Sequence, residues 1–352
     1  MFSRNFLVFF AFALGVATVC FALSSVYFWR WLNTPIFIPE ESRAYAVESG
    51  ENLHRISRKL HERELLAWPK VWIVYARLSG APHVNVGEFL LADEESPISL
   101  LRKFQSNNYI QYQLVIVEGS TFTQLVGQLD TATKLSHEIQ RPIDPAKTQL
   151  PGVKEHHLEG LFFADTYFYS AGESDLSILM RAYRKLHSVL EQEWQNRDEG
   201  LPYSSPYEAL ILASIIEKET GAPHERAEIA GVFVRRLEKG MRLQTDPTVI
   251  YGLQRPWDGN LTRTDLRSKH PYNTYVNHGL PPSPIALVGR EAIHAALHPL
   301  EGTSLYFVAK GDGTHQFSDT FEEHRLAVEQ YQLKRKNNYR SRYENKTQQV
   351  SE

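Results

Sequence analysis

The chain has 352 residues, 42% hydrophobic and 12% aromatic, which is enough to build a sizeable core. With 38 Lys and Arg against 41 Asp and Glu, its formal net charge is -3, and no basic excess exists to displace phosphate counterions; this argues against a nucleic-acid binder. The single cysteine, Cys20, excludes an intrachain disulfide and a Cys-based zinc site.

Residues 6–29 are almost wholly apolar and carry no charge, between Arg4 and Arg30. Such a run crosses about 30 Å of hydrocarbon at about 1.5 Å per residue. Tyr27, Trp29 and Trp31 stand at its far end, where an interfacial aromatic belt belongs. A cleaved signal peptide would have a shorter apolar core and a small-x-small site after it. The pattern therefore predicts one transmembrane helix at 6–29, a short tail at 1–5, and a linker at 30–42 containing Thr34, Pro35 and Pro39.

A small α+β subdomain is expected at 43–105. Tyr45-Ala46-Val47 reads as a strand, Gly50-Glu51-Asn52 as a turn, and Leu53, Ile56 and Leu60 fall at helical spacing. A second helix at 68–78 and a returning strand at 86–91 follow, then a helix from Pro97 and a strand from Gln111 to Val117. A larger mixed α+β domain is expected at 106–331, with an irregular polar stretch at 130–157. The tail at 332–352 is charged and poor in apolar residues, the composition of a disordered segment.

The most informative stretch runs from Ser205 to Gly221. Ser205 can cap a helix, Pro206 suits its first position, and Glu208 completes a capping box. The helix is apolar on every side until Glu217 and Glu219 appear at its end, before Gly221 and Pro223. A carboxyl at the negative pole of a helix, against apolar surface, keeps its proton near neutral pH, as a general acid must. Glu219 lies over Ile215 and Ile216; Glu217 lies over the smaller Ala213 and Ser214. The plainer reading, two surface charges paired with Lys218, Arg226 or Arg235, stays open on spacing alone.

Two polar loops, at 242–249 and 272–275, and the Pro-rich 279–284 offer side chains suited to sugar hydroxyls and amides. His315 sits on a Gly-rich hairpin tip after an expected strand at 304–309. No H-E-x-x-H, G-x-S-x-G or Walker loop is found, and no metal-spaced histidine pair is expected. His156 and His157 are adjacent, so their rings point apart.

The strings Glu159 to Tyr167, Ala213 to Thr220 (ending EKET), Gly240 to Gly252 (containing QTDPTV), Tyr272 to Tyr275, Gly279 to Pro282, Leu305 to Ala309 and Gly313 to Phe317 together resemble the endolytic murein transglycosylases, the MltG or YceG-like family. The resemblance covers most of residues 45–331, with Leu161 and Ala164 where the family carries a Trp and a Pro. It implies a LysM-like unit at 43–105 and a catalytic domain at 106–331. It implies cleavage of MurNAc–GlcNAc β-1,4 bonds inside nascent peptidoglycan strands, leaving 1,6-anhydro-MurNAc ends without a cofactor or metal. It further implies a single-pass protein of the inner membrane with a cytoplasmic N-terminus and a periplasmic catalytic domain, and cell-wall synthases as partners. Glu219 matches the family's catalytic glutamate; Glu159, Glu217, Gln244, Thr245, Asp246, Asn273, Tyr275 and His315 are the residues expected to bind substrate. Two other readings remain: a muramidase-type hydrolase in which Asp246 activates a water, and a non-catalytic glycan-binding membrane protein.

Overall fold

The computed structural model describes residues 4–333 except Ser49, Ala81, Pro82, Gln254 and Pro256. The start of the expected N-terminal tail, 1–3, and the charged tail from 334 lie outside the described residues. The chain is a mixed α+β protein divided into two compact units. The first holds residues up to Tyr112, with 134–136 and 168–173; the second holds 113–133, 137–167 and the chain from Ser174.

In the first unit, α1 (Arg4–Asn33) contains a stretch, Phe9–Asn33, that is long and apolar enough to cross a membrane and fits a membrane anchor. Phe9, Phe12, Phe21 and Leu23 are all exposed along it. The helix continues past Trp29. Leu32 is fully buried, the Trp31 ring lies 5.0 Å from that of Trp68, and the Phe28 ring lies 6.0 Å from Tyr75. The segment expected to be a linker thus contains the last turn of α1, β1 (Ile36–Phe37) and the fully buried Ile38. Aromatic packing against the small unit keeps this segment ordered.

Next comes the strand–helix–helix–strand pattern anticipated from the sequence: β2 (Ala44–Val47), α2 (Leu53–Glu62), α3 (Pro69–Leu78) and β3 (Gly87–Leu90). β2 and β3 pair antiparallel, with Ala44 opposite Leu90 and Val47 opposite Gly87. Asn52 caps α2 by accepting from the Arg55 N–H at 3.1 Å. β4 (Glu94–Glu95) pairs with β1, and α4 (Pro97–Gln105) closes the core of Tyr45, Ile56, Leu60, Trp72, Phe89 and Phe104. The Trp72 indole donates to the Pro97 carbonyl at 2.7 Å, so its one polar atom is satisfied inside that core.

β5 (Gln111–Val115) and β6 (Thr166–Ser170) form another two-stranded sheet. The second unit contains α5 (Phe122–Thr131), α6 (Asp175–Gln195), α7 (Pro206–Glu219), α8 (Arg226–Glu238), α9 (Asp246–Tyr251), α10 (Arg263–Arg267), α11 (Arg290–Leu297), the hairpin of β7 (Tyr306–Ala309) and β8 (His315–Ser318), and α12 (Phe321–Val328). The irregular stretch before β6 is knitted by Asp175, fully buried at the start of α6. Its carboxylate accepts from the Glu138 N–H at 3.0 Å and from Arg141 at 2.9 Å.

α7 is the centre of this unit. Every side chain from Ala209 to Ile216 is buried, and α7 packs against α6, α8, α9 and α11. Ser205 accepts from the Glu208 N–H as expected. The Glu208 carboxylate, however, reaches back to the Ser204 N–H at 2.6 Å, one residue earlier than a capping box requires. Beside α7 runs the buried segment 285–288, held by the Ile285 N–H on the Ser214 hydroxyl at 2.9 Å and by backbone bonds of Leu287 to Gly119 and Ser120, each 2.8 Å. Gly160 is required next to it: its φ is +77°, and an added Cβ would stand 2.2 Å from the Pro284 Cβ.

Candidate active site

α7 fixes the geometry, because a helix buried on all sides cannot roll. Its last residue is Glu219, followed by Thr220 in extended conformation. Glu219 keeps partial exposure on one side, yet desolvation of its carboxyl pushes the pKa up to about 7. Against this, the Thr245 hydroxyl donates to the Glu219 Oε1 and favours the carboxylate. Asp246 pushes the pKa further up, while His315 and Arg236 pull it down.

The loop before α9 places these groups. Thr245 is the N-cap of α9 but makes no side-chain bond to its own helix; its hydroxyl is turned to Glu219 instead. Gln244 has φ +48°, a strained conformation for a residue with a Cβ, and such strain persists only where the surroundings impose it. Here the surroundings are a threonine network. The Gln244 N–H donates to the Thr274 carbonyl at 3.2 Å and the Thr245 N–H to the Thr274 hydroxyl at 3.1 Å; that hydroxyl lies 2.8 Å from the Thr248 hydroxyl. Buried Thr245 is thereby flanked by exposed Gln244 and Asp246. Tyr275 donates its hydroxyl to Asp246 at 2.6 Å, and the burial of its ring raises its own pKa.

Two further anchors complete the surroundings. Glu225 accepts from the backbone N–H of His315 and stands against its ring Nδ1, both at 2.8 Å, leaving Nε2 as the outward nitrogen. Despite its burial, Glu225 has a lowered pKa because of these bonds. The buried Arg236 donates to the carbonyls of Leu305 at 2.6 Å and Leu243 at 2.7 Å, so it ties the loop before Thr245 to the strand region of β7.

Of the residues expected to bind substrate, the structure gathers Thr245, Asp246, Tyr275 and His315 near Glu219, with exposed Gln244 next in the chain. The other three lie elsewhere in the network. Asn273 is 1% exposed; its amide donates to the Ser268 carbonyl at 2.8 Å and its oxygen accepts from the Tyr275 N–H at 2.9 Å. Glu217 points to another face of α7, accepting from the Gly289 N–H at 3.1 Å and from Arg226 at 3.3 Å. Glu159 is 1% exposed, accepts from the Phe122 N–H at 2.8 Å and bonds Tyr251; desolvation pushes its pKa up to about 7. Sequence reasoning passed over Glu225, Arg236, Thr248 and Thr274. Thr274 lies inside a quoted motif, but nothing local marks Glu225, whose partner is 90 residues away. A cavity between α9 and α10, lined by Val249, Arg255, Lys269 and His270 among others, includes none of Glu219, Thr245, Asp246 and His315.

The helix end thus brings together a carboxyl titrating near neutral pH, a hydroxyl donor, a second carboxylate and an oriented imidazole, the groups that acid–base chemistry uses. Residues 45–330 match the sequence model of the YceG-like family, and the chain belongs to that family. A Bacillus subtilis protein named endolytic murein transglycosylase is 30% identical over 302 residues, covering 81% of this chain and 83% of the relative. A Streptococcus pneumoniae protein of the same name is 27% identical over 339 residues, and the match spans 59% of that longer protein. The crystal structure of a YceG-like protein from Listeria monocytogenes aligns with a TM-score of 0.50 at 28% identity, over 83% of this chain and 98% of the other.

Proposed function

We propose that this chain is a membrane-anchored endolytic transglycosylase that cleaves MurNAc–GlcNAc bonds within peptidoglycan strands, with Glu219 as acid and then as base. The observation that carries the reading is the Glu219 carboxyl, desolvated and pushed up to about 7 on a residue that keeps partial exposure, in a chain whose relatives bear that name. Protonated Glu219 gives its proton to the glycosidic oxygen as the bond from that oxygen to the MurNAc C1 breaks, and the GlcNAc side leaves as an alcohol. The resulting carboxylate takes the proton of the C6 hydroxyl of the same MurNAc as O6 bonds to C1. One proton leaves the enzyme and one returns, so neither a water nor a cofactor takes part. Thr245 orients the carboxyl and supports its ionised state between the two halves. Gln244, Asp246, Tyr275 and His315 bind sugar hydroxyls and amides, and Glu159, Glu217 and Asn273 hold the elements that carry them.

In this reading α1 spans the inner membrane with its N-terminus in the cytoplasm, and the remainder is periplasmic. The strand–helix–helix–strand arrangement supports a LysM-like, glycan-holding role for the small unit, and cell-wall synthases are the partners the family implies. One observation favours a second reading. Asp246 is near enough to raise Glu219, so two carboxylates could serve a hydrolase, with Asp246 activating water. Digestion of purified peptidoglycan strands by the full chain, read by mass spectrometry, separates the cases. Products ending in 1,6-anhydro-MurNAc are lighter by one water than reducing ends. Reducing ends would establish the hydrolase, and intact strands would leave a glycan-binding protein.

A further inference from the structure

We propose that Glu193 of α6, His294 of α11 and His298 at the α11 C-cap form a binding site for a divalent transition-metal ion of the Zn²⁺ type. One ligand atom from each of the three lies within 4.8 Å of the other two. His294 lies in the last turn of α11, and His298, four residues on, is its C-cap with non-helical dihedrals, its N–H bonding the His294 carbonyl at 2.8 Å. This corrects the expectation that no histidine pair is metal-spaced. Their ring centroids are 4.3 Å apart. The His294 Nδ1 stands 2.9 Å from the Glu193 Oε2. Two ligands about 2.0–2.1 Å from one tetrahedral Zn²⁺ are roughly 3.3 Å apart, so that pair is close to ligand spacing already.

Groups behind the three residues hold them as a metal site needs. Arg290 donates to the other Glu193 oxygen at 2.6 Å and to the Gln192 side chain at 3.2 Å, which fixes the carboxylate plane and leaves Oε2 for an ion. Asp198 stands 2.9 Å from the His298 Nδ1, leaving Nε2 as the other nitrogen of that ring. A carboxylate behind a ligand histidine orients the ring and raises its basicity. Two imidazoles and a carboxylate suit Zn²⁺ over Mg²⁺ or Ca²⁺, which prefer all-oxygen shells. Glu193 and Asp198 bring two negative charges to the site, one of them shared with Arg290. Glu193 is buried, whereas the His294 side chain is 60% exposed, so an ion enters from solvent on the histidine side. The bound ion would tie α6 to α11, and α11 packs on α7.

The test uses the full chain in detergent, stripped with a chelator and titrated with Zn²⁺ by calorimetry and with Co²⁺ by visible absorption. Wild type should take one ion with a Kd on the order of 1 µM or tighter, show the intense bands of low-coordinate Co²⁺, and gain thermal stability with Zn²⁺. H294A, E193Q and H298A should each weaken binding by at least about 10-fold and lose the thermal gain. The exposed His294 makes H294A the variant that keeps the fold, and circular dichroism without metal checks it. Equal Zn²⁺ affinity in wild type and the H294A/H298A double variant, or no binding by wild type at 100-fold that Kd, would overturn the proposal.

Discussion

Glu219 and Glu159 are two glutamic acids of one unit, and desolvation pushes each up to about 7. Their neighbourhoods differ. Glu159 is 1% exposed, and its oxygens are taken by the Phe122 N–H and Tyr251. Glu219 has one hydroxyl donor, is a partly exposed residue, and has a second carboxylate and an oriented histidine near it. A shifted pKa therefore reports removal from water in both places and chemistry in neither. Access for a substrate, and groups placed to steady both protonation states, make the difference.

The largest expected effect follows directly. Glu219→Gln keeps size and fold but has no proton to give, so the rate of strand cleavage should fall roughly 10²–10⁴-fold. Glu159→Gln keeps an acceptor for the Phe122 N–H and should stay within several-fold of wild type. Mass-resolved digests measure both; a folded Glu159→Gln without activity would collapse the distinction between the two carboxyls. Thr245→Val removes the donor that lowers the Glu219 pKa, so that pKa rises. The high-pH limb of the rate profile, where Glu219 loses its proton, should move to higher pH while the maximal rate drops by about 10-fold. Thr245→Ser should restore both.

A third expectation concerns stability. Glu159 titrates near 7 in the folded chain and near 4.5 when unfolded, so the folded state holds more protons between those values. Wild-type stability should therefore fall as pH rises from 4.5 to 7. Glu159→Gln should recover on the order of 1–3 kcal/mol at pH 8 relative to pH 4, read by thermal unfolding at both pH values. The smallest effect is expected of Glu217→Gln. Arg226 retains Glu291 and Glu118 at that cluster, so activity should change less than about 3-fold while stability drops by about 1–2 kcal/mol. A loss as deep as that of Glu219→Gln would move the acid two residues along α7.

Much of this was legible beforehand, and what was legible was local. Ser205 and Pro206 announce the start of α7, its unbroken apolar run announces burial, and short apolar runs on either side of two helical patterns announce β2 and β3. The grease around Glu219 could be inferred from Ile215 and Ile216, one helical turn back. The hidden parts depend on contacts between distant segments: Glu225 with His315, Arg236 with Leu243 and Leu305, Thr274 with Thr245 and Thr248. No periodicity encodes such pairs. Glu208 shows the limit even close by, since its capping-box spacing is right and its carboxylate still chooses the neighbouring N–H. His294 and His298 were readable from spacing alone, but their carboxylates arrive from α6 and the turn after it.

The junction of α1 with the small unit has a mechanical meaning. Leu32 is sealed in protein, Trp31 is stacked near Trp68, and Ile38 is already core, so no slack chain separates the apolar helix from the module it carries. A tether of loose residues would let that module sweep a hemisphere above the bilayer. A helix that runs into its own core acts as a short mast instead: the module's height and heading are set by α1, and tilting one tilts the other.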